Sequence, residues 1–475
     1  MLTVVLSTLI VSCLAYLGMS SFRREIDTPS DTSAPPVKPD IILLSMDTLR
    51  ADHLSCYGYP RETSPNIDRF AENAVIFEHP ITQAPHTAPA HMSIFTALTP
   101  AVHRVSNHGD DGTYTTLGEE FTTLPEVLKR NGYLTIGFVG GGNISGHFGF
   151  EKGFDSYVST RIDWQKLYHD PGQLDVIRQA IRSSREKQQP LFLFVHHHLC
   201  HDPYTRAPEE FRLRFLKKRV DGLPVGPDYV NENFAAKRKD FWKDVNLANP
   251  EHREHIVSLY DGAVLYTDHV FGKLVELLKE EGIYDSSVFI ALSDHGEEFY
   301  EHKTYLHGYL FIETMRVPLI IRFPNGRYAG KRIRNYVRTL DVMPSLLDFL
   351  GIKTDHFMQG VSFMPLLTRK GEYDPIILSY SGFMKYIRLH KDGFVYTNIR
   401  GPDGSQWLFN TKKDPKELRN LTAREPEILS QMKTMGEEVM AADDMIRERY
   451  SQSNGKTLKA DEETMEQLRA LGYLQ

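Results

Sequence analysis

The sequence predicts an α/β fold in which helices flank a central, mostly parallel β-sheet, with a smaller C-terminal α+β subdomain. From Asp40 onward, continuous apolar runs of strand length alternate with stretches of helical periodicity. Such runs are typical of strands buried on both faces, and their alternation with helices is typical of parallel sheets. Beyond residue 374 the pattern shortens. We therefore expect a main domain at residues 39–372 and the subdomain at residues 373–475.

Individual elements follow from local signals. Four apolar runs predict buried strands, at residues 41–44, 134–139, 191–195 and 288–292. Thr123 and Glu126 form a capping box that opens a helix through Arg130. Apolar residues at helical spacing predict a further helix over residues 260–281. The charged stretch 205–254, which Pro and Gly interrupt, predicts an insertion or a lid over a site.

The composition excludes several classes of protein. The 475 residues include 55 Lys and Arg against 62 Asp and Glu, so the formal net charge is −7. This acidity argues against a nucleic-acid partner, because such binding needs a basic surface. The three cysteines exclude a disulfide framework. Many of the 20 histidines lie near residues 86–108, 196–201 and 295–307, and this clustering suggests a metal or acid–base site.

The N-terminal residues 1–20 are nearly free of charge and fit a signal peptide or a membrane or lipoprotein anchor. A buried N-terminal helix is the alternative. Residues 21–38 are rich in Ser, Thr, Pro and charge, which predicts a linker. We expect an extracytoplasmic protein, whether periplasmic, at the cell surface or secreted, that associates with a membrane through this N-terminus.

Acidic side chains follow two of the predicted strands. Asp47 comes after the first strand, and Asp294 and His295 come after the strand at 288–292. If the two strands are parallel neighbours, these side chains meet beyond the carboxyl ends of the strands, where ligands bind in α/β sheets. Carboxylates and an imidazole together make a mixed oxygen and nitrogen metal site. Capping of the following helices is the alternative for either aspartate alone.

A third candidate lies in the segment 84–93. Thr87 is placed at the start of a predicted helix, with Pro89 in its first turn. The free N–H groups of a helix N-terminus suit a phosphate or sulfate group. An ordinary N-cap threonine is the alternative.

Longer stretches of the sequence together carry a resemblance. They lie at residues 39–52, 56–58, 64–68, 95–100, 149–155, 201–204, 260–262, 293–297, 316–319 and 409–421. By their order and spacing the chain resembles the sulfatase family, within the alkaline-phosphatase superfamily. The resemblance implies an alkaline-phosphatase-like fold and a hydrolase that acts on sulfate or phosphate esters.

The chain departs from the family pattern at its reactive position. The family has Cys or Ser followed by x-Pro-Ser-Arg, and that Cys or Ser becomes formylglycine. Here Thr87 stands at this position and cannot become formylglycine, and His91 replaces the motif arginine. Asp47 is followed by Thr48 rather than a second acid, and the final metal pair is Asp-His rather than Asp-Asn. The set of Asp, Thr, Asp and His is similar to the metal-binding set of phosphoethanolamine transferases, phosphodiesterases and phosphonate monoester hydrolases of the superfamily.

The residues and the resemblance together imply one divalent metal ion. The expected ligands are Asp47, Thr87, Asp294 and His295. The histidine ligand favours zinc or manganese, whereas calcium is the usual ion of the family. Such an ion would lower the pKa of the Thr87 hydroxyl, which could then attack sulfur or phosphorus.

Further roles are carried over or assigned by position. His201 and His307 match family positions that bind the transferred group or protonate the leaving oxygen. His91 lies one helical turn after Thr87 and is expected to orient it. Asn143 is a candidate oxyanion donor, and His302 a candidate substrate-binding residue. The run His196-His197-His198 is expected to consist of core or surface residues, because alternation along a strand points some of them away from the site.

Three functions remain open from the sequence. The first is a metal-dependent hydrolase of a sulfate or phosphate ester. The second is a phosphoethanolamine-type phosphotransferase or phosphodiesterase that acts at a membrane. The third is a non-catalytic, sulfatase-like binding protein. In each, the expected partner is a small-molecule, glycan or lipid ester.

Overall fold

The computed structural model describes residues 38–107, 113–225, 234–381, 386–398, 406–450, 456–459 and 461–470. The predicted signal peptide or anchor, and the linker up to residue 37, lie outside the described residues. Within the described ranges, no helix combines the length and the apolar character that a membrane span requires.

Among the described residues, an eight-stranded sheet forms the centre of the fold, and three smaller sheets accompany it. The strands are β1 (Ile41–Met46), β2 (Val75–Ile81), β3 (Ser106–Asn107), β4 (Thr113–Thr115), β5 (Leu134–Val139), β6 (Ser156–Ser159), β7 (Leu191–His197), β8 (Val288–Leu292), β9 (Glu298–Phe299), β10 (Tyr305–Leu306), β11 (Leu319–Arg322), β12 (Arg332–Arg338), β13 (Ile377–Ser381), β14 (Tyr386–Lys391), β15 (Phe394–Thr397), β16 (Trp407–Asn410) and β17 (Thr457–Lys459). The central order is β12-β2-β11-β8-β1-β7-β5-β6. Only β11 runs antiparallel to its neighbours in this described sheet. The predicted α/β fold with a mostly parallel sheet is confirmed.

Helices cover the sheet and connect its strands. They are α1 (Pro65–Glu72), α2 (Thr87–Thr96), α3 (Pro100–His103), α4 (Leu124–Arg130), α5 (Asp175–Glu186), α6 (Glu209–Arg212), α7 (Phe234–Lys243), α8 (Pro250–Glu280), α9 (Ile312–Met315), α10 (Val342–Leu350), α11 (Met364–Thr368), α12 (Pro426–Arg449) and α13 (Glu462–Ala470). The capping box of α4 is present as predicted. Helix α8 begins ten residues earlier than predicted, at Pro250, because the Asn249 side chain caps it by accepting the N–H of Glu251 at 2.9 Å.

The side chains of β1 show how the sheet is buried on both faces. Ile42 and Leu44 pack into a core with α1, α5 and α8. Ile41 and Leu43 pack into a second core with α2 and α10. Alternate residues of a strand point to opposite faces, so the continuous apolar run supplies both cores.

The C-terminal part contains the four-stranded antiparallel sheet β13-β14-β15-β16. Leu378, Leu389 and Leu408 of this sheet pack against Met432 of α12. The buried Arg388 of β14 forms two hydrogen bonds with Glu417, at 2.7 and 2.6 Å. This antiparallel sheet with its helix is the α+β arrangement expected for the C-terminal part.

Candidate metal centre and active site

The carboxyl ends of β1 and β8 bring three predicted ligands together. The two strands are parallel neighbours, and Ser45 lies opposite Leu292. Asp47, Asp294 and His295 follow directly, and each offers one ligand atom within 4.8 Å of the others. His295 Nε2 lies 3.7 Å from Asp47 Oδ1 and 3.5 Å from Asp294 Oδ2. The predicted convergence of these side chains is therefore present.

The orientation of His295 suits a metal ligand. Its Nδ1 donates to the carbonyl oxygen of Gly296 at 3.0 Å, so the hydrogen of the neutral ring is on Nδ1. The lone pair on Nε2 then points toward the two carboxylates. A hydrogen bond from the second nitrogen to a carbonyl is the usual way in which proteins orient a histidine ligand.

Orphaned oxygens show that the residues fit a divalent cation. Asp47 Oδ1 and Asp294 Oδ2 are buried and have no hydrogen-bond partner among the described residues. Burial, and then the neighbouring Asp294, raises the pKa of Asp47 to about 7. Two carboxylates this close ionise together only when a positive charge joins them. A divalent cation between these oxygens would satisfy both and keep both carboxylates ionised.

Thr87 brings a hydroxyl to the same place. It is the first residue of α2 and is fully buried. Its Oγ1 lies 3.4 Å from His295 Nε2. His86, not Thr87, occupies the N-cap position, and no side chain caps the helix there. The alternative of an ordinary N-cap threonine therefore fails, because the hydroxyl faces the candidate metal ligands.

His91 contacts the backbone of Thr87 rather than its hydroxyl. Its Nδ1 donates to the carbonyl oxygen of Thr87 at 2.9 Å. Its Nε2 lies 2.8 Å from the hydroxyl of Ser45, which donates to it. His91 Nδ1 also lies 3.5 Å from Asp294 Oδ2. The orienting role of His91 stays a prediction, and the contact that would serve it is made to the main chain of α2.

His201 and His307 form the opposite wall of the site. Their ring centroids are 5.2 Å apart, and the ring of His307 lies 4.6 Å from that of His295. His307 Nδ1 is hydrogen-bonded to Glu297 Oε1 at 2.9 Å. Burial lowers the pKa of His307 to about 4. Glu297, which the sequence reasoning did not single out, fixes the orientation of His307.

The loop after His201 connects the site to the predicted insertion. Asp202 Oδ2 accepts hydrogen bonds from Arg238 Nε at 2.6 Å and from Trp242 Nε1 at 3.1 Å. Both donors belong to α7, so this helix of the 205–254 stretch lies beside the site.

Two predicted substrate-binding residues have different surroundings. Asn143 is buried in the turn Gly142–Ile144, which packs against α2. Its role as an oxyanion donor stays a prediction. His302 stacks on Phe311 with ring centroids 3.9 Å apart and is hydrogen-bonded to Glu313 at 3.0 Å. These contacts do not join His302 to Asp47, Asp294 or His295, and its role in substrate binding stays a prediction.

The alternation expected along residues 196–198 is present and all three side chains are buried, and His196 and His198 are the two that face the candidate site. Both project from the end of β7 toward Asp47: His198 Nδ1 lies 2.5 Å, and His196 Nε2 3.9 Å, from Asp47 Oδ2. His197 points to the other face, where its ring packs 5.4 Å from that of Trp164. The alternation of side chains along a strand separates the three histidines. Knowing that β7 lies beside β1 would have identified the pair that faces the site.

Comparisons with known proteins identify the family to which the chain belongs. The sequence profile of the Sulfatase family matches residues 39–352, and that of "N-sulphoglucosamine sulphohydrolase, C-terminal" matches residues 300–443. An arylsulfatase from Clostridium perfringens is 25% identical over 442 residues, which cover 81% of this chain and 90% of the relative.

Solved structures share the fold. The phosphonate monoester hydrolase of Agrobacterium radiobacter aligns with a TM-score of 0.66 at 20% identity, covering 86% of this chain and 96% of the other. A protein solved with its substrate D-glucosamine-2-N,6-O-disulfate aligns with a TM-score of 0.68 at 18% identity, covering 86% and 98%. The central sheet with its small C-terminal antiparallel sheet is thus the arrangement of sulfatase structures. The family match spans most of the main domain and contains every candidate metal ligand, and the chain belongs to the sulfatase family of metal-dependent ester hydrolases.

Proposed function

We propose that the protein hydrolyses a sulfate or phosphate ester, with the hydroxyl of Thr87 as the nucleophile and one divalent cation in the centre. The convergence of Thr87 Oγ1 and His295 Nε2 with the unpartnered oxygens of Asp47 and Asp294 carries this proposal. The histidine ligand favours zinc or manganese over calcium.

A bound divalent cation would lower the pKa of the Thr87 hydroxyl and neutralise charge on the transferred group. In the first step the Thr87 oxygen forms a bond to sulfur or phosphorus while the bond to the leaving oxygen breaks. In the second step water attacks the same atom and releases Thr87. The proton of the Thr87 hydroxyl would pass to His307 before attack and then to the leaving oxygen, and in the second step a proton of the water would return to Thr87 by the same route.

His307 and His201 supply proton transfer and binding on the opposite wall. His307 is hydrogen-bonded at Nδ1 to Glu297, and we place its Nε2 toward the leaving oxygen. Because burial keeps its ring neutral, it would act first as a base and then return the proton, to the leaving oxygen in the first step and to Thr87 in the second. His201 would hold the transferred group beside it.

Two features support threonine as a working nucleophile. His91 fixes the carbonyl of Thr87, so the first turn of α2 is held in place. Ser45 in turn holds His91 at 2.8 Å. A nucleophile held in a defined position reacts faster because orientation is already settled before the substrate arrives.

The substrate class follows from the family. We propose a small-molecule, glycan or lipid ester, since a structural neighbour is described with a disulfated glucosamine as its substrate. A panel of aryl sulfates, phosphate monoesters, phosphate diesters and phosphonates would identify the transferred group. Each would be tested with added Mn²⁺, Zn²⁺ or Ca²⁺, and the metal content of the purified protein would be measured.

Substitutions of Thr87 test the mechanism. We expect Thr87→Ala to lose at least roughly a thousandfold in activity while the metal stays largely bound by the other ligands. Thr87→Ser should remain active because it keeps a hydroxyl. Thr96→Ala is the matched control, since Thr96 is a buried threonine of the same helix whose hydroxyl donates to the carbonyl of Met92. Normal turnover by Thr87→Ala would show that Thr87 is not the nucleophile.

The same panel separates the other functions. Product formation only in the presence of an alcohol acceptor would indicate a transferase. Metal binding without turnover of any ester would indicate a binding protein. A mass increase of one phosphoryl or sulfuryl group on the peptide that contains Thr87 would identify the covalent intermediate.

We also propose that the protein works outside the cytoplasm and associates with a membrane through residues 1–20. The nearly uncharged composition of this segment supports the proposal. Cell fractionation tests it: a cytosolic protein with an intact N-terminus would contradict it.

A further inference from the structure

The two oxygens of Asp47 face different groups of ligands. Oδ1 lies on the side of His295, at 3.7 Å from its Nε2. Oδ2 lies on the side of His196 and His198. Asp47, His196 and His198 form a second set of potential ligand atoms that all lie within 4.8 Å of one another. A carboxylate that faces two ligand sets with separate oxygens is the arrangement that bridges paired metal ions.

The hydrogen bonding of His198 leaves a lone pair directed at Asp47. Its Nε2 lies 3.3 Å from the carbonyl oxygen of Gly141, and a carbonyl only accepts, so the hydrogen of the neutral ring is on Nε2. The other nitrogen, Nδ1, then presents its lone pair to Asp47 Oδ2 at 2.5 Å. Two acceptors at this distance need a proton or a cation between them.

His196 adds an independent observation. Its side chain is fully buried, and neither ring nitrogen has a hydrogen-bond partner among the described residues. Buried polar groups are nearly always satisfied, so an imidazole with two unpartnered nitrogens calls for an explanation. The ring lies between His91 and His198, with centroids 5.0 and 4.5 Å away.

We propose that Asp47 Oδ2, His196 Nε2 and His198 Nδ1 form a second cation site, for zinc or manganese, which Asp47 bridges to the first. This inference rests on the proposed function only through Asp47, which both sites share. Imidazole nitrogens suit these two ions better than they suit calcium or magnesium.

The distances fit such a site after a small movement. Ligand atoms in a tetrahedral zinc site lie roughly 3.3 Å apart. The pair of His196 Nε2 and Asp47 Oδ2, at 3.9 Å, would close slightly, and the pair of His198 Nδ1 and Asp47 Oδ2, at 2.5 Å, would open by about 1 Å.

Metal content of the purified full-length protein tests the site. After dialysis against Zn²⁺, we expect two equivalents per chain in the wild type and one in His196→Gln. Asp294→Asn should lose the equivalent that is bound at the first site. The two variants therefore distinguish failure of the first site from failure of the second. His197→Gln is the matched control, because His197 is a neighbouring and fully buried histidine that packs on the other face, against Trp164. It should keep two equivalents.

Electron paramagnetic resonance of the Mn²⁺-loaded wild type gives a readout that does not depend on the stability of any variant. We expect the spectrum of a magnetically coupled pair. Spectra of isolated ions only, a single equivalent in the wild type, or two equivalents in His196→Gln would each overturn the second site. In those cases a proton shared between Asp47 and His198 accounts for their contact.

Discussion

His91 Nδ1 donates a hydrogen bond of 2.9 Å to the carbonyl oxygen of Thr87, four residues earlier in the same helix. The imidazole thereby holds the main chain of the residue that carries the candidate nucleophile. Because Ser45 of β1 donates to the other nitrogen of the ring, the first turn of α2 is connected to the central sheet.

Removal of this connection should lower activity without emptying the metal centre. We expect His91→Ala to reduce kcat by about 100-fold, because a displacement of the nucleophile by about 1 Å has an effect of this size. Ser45→Ala should have a smaller effect in the same direction. Steady-state kinetics and metal analysis on the same samples check this. An unchanged kcat in His91→Ala would contradict the positioning role.

Metal removal should abolish activity and lower stability. A chelator is expected to stop turnover, and Mn²⁺ or Zn²⁺ should restore it. A ligand present at a hundred times its Kd stabilises a folded protein by about 2.7 kcal/mol, so Tm should rise with the concentration of added metal. Asp294→Asn provides the control, because the loss of one ligand should reduce this rise. A Tm that does not respond to metal would argue against the centre.

Gly140 is required by close packing against His198. A Cβ at this position would lie 2.5 Å from His198 Cδ2, too close for any real contact. We expect Gly140→Ala to cost about 1–3 kcal/mol of unfolding free energy, as overpacking usually does. In the control Gly172→Ala, the nearest atom is Asp170 Oδ1 at 3.1 Å, at the end of a side chain that can move. Urea unfolding should show a change within about 0.5 kcal/mol for that control.

Buried His103 should make the fold sensitive to acid. Its Nδ1 accepts the N–H of Val105 at 3.1 Å, and its Nε2 lies 3.1 Å from the hydroxyl of Ser93, so the neutral ring is satisfied. Burial lowers the pKa of His103 from 6.5 to about 3. Below pH 6.5 the unfolded chain binds a proton that the folded chain excludes, and stability falls as the pH drops toward 3.

The contribution of this histidine is up to about 1.4 kcal/mol per pH unit within that window. His103→Asn keeps an acceptor for the N–H of Val105 and has no group that titrates there. We therefore expect the stability advantage of the wild type over this variant to shrink between pH 6.5 and pH 4, as measured by urea unfolding. Parallel pH profiles would show that His103 does not carry the effect.

The ion pair between Arg388 and Glu417 should dominate the stability of the C-terminal sheet. Both side chains are buried, and Arg388 also donates to the carbonyl oxygen of Leu310 at 3.0 Å. Arg388→Met should cost about 3–5 kcal/mol, because it leaves a buried carboxylate without its partner. Replacing Glu417 with Met as well should recover part of this loss. Lys391→Met, which removes the exposed pair with Asp374, should cost under about 1 kcal/mol. Thermal unfolding of each variant measures these changes.

The sequence alone was sufficient to predict those elements of the fold that depend on local periodicity. The apolar runs identified β1, β5, β7 and β8, because a strand buried on both faces has no polar alternation. The start of α8 was missed although Asn249 and Pro250 are an N-cap signal. The charges that follow them suggested an insertion instead.

The candidate site likewise contains residues that the sequence could predict and residues that it could not. Asp47, Asp294 and His295 were identifiable because each follows a strand whose end is visible in the sequence. His196 and His198 were not, because the side to which a strand residue points depends on which strands lie beside it. His302 is a candidate substrate-binding residue whose ring contacts Phe311 and Glu313, and the sequence does not show these contacts.

The position of β1 has a consequence for biosynthesis. Its two partners in the sheet are β7 and β8, which begin at Leu191 and Val288. The strand therefore leaves the ribosome long before either partner exists, as an apolar segment with unpaired backbone groups. Pairing over such separations is slow, so this segment stays exposed to aggregation until β7 and β8 have been synthesised. Asp47 lies at the end of this strand, whereas Asp294 and His295 follow β8. A truncated chain that stops before β8 therefore cannot assemble the candidate metal centre.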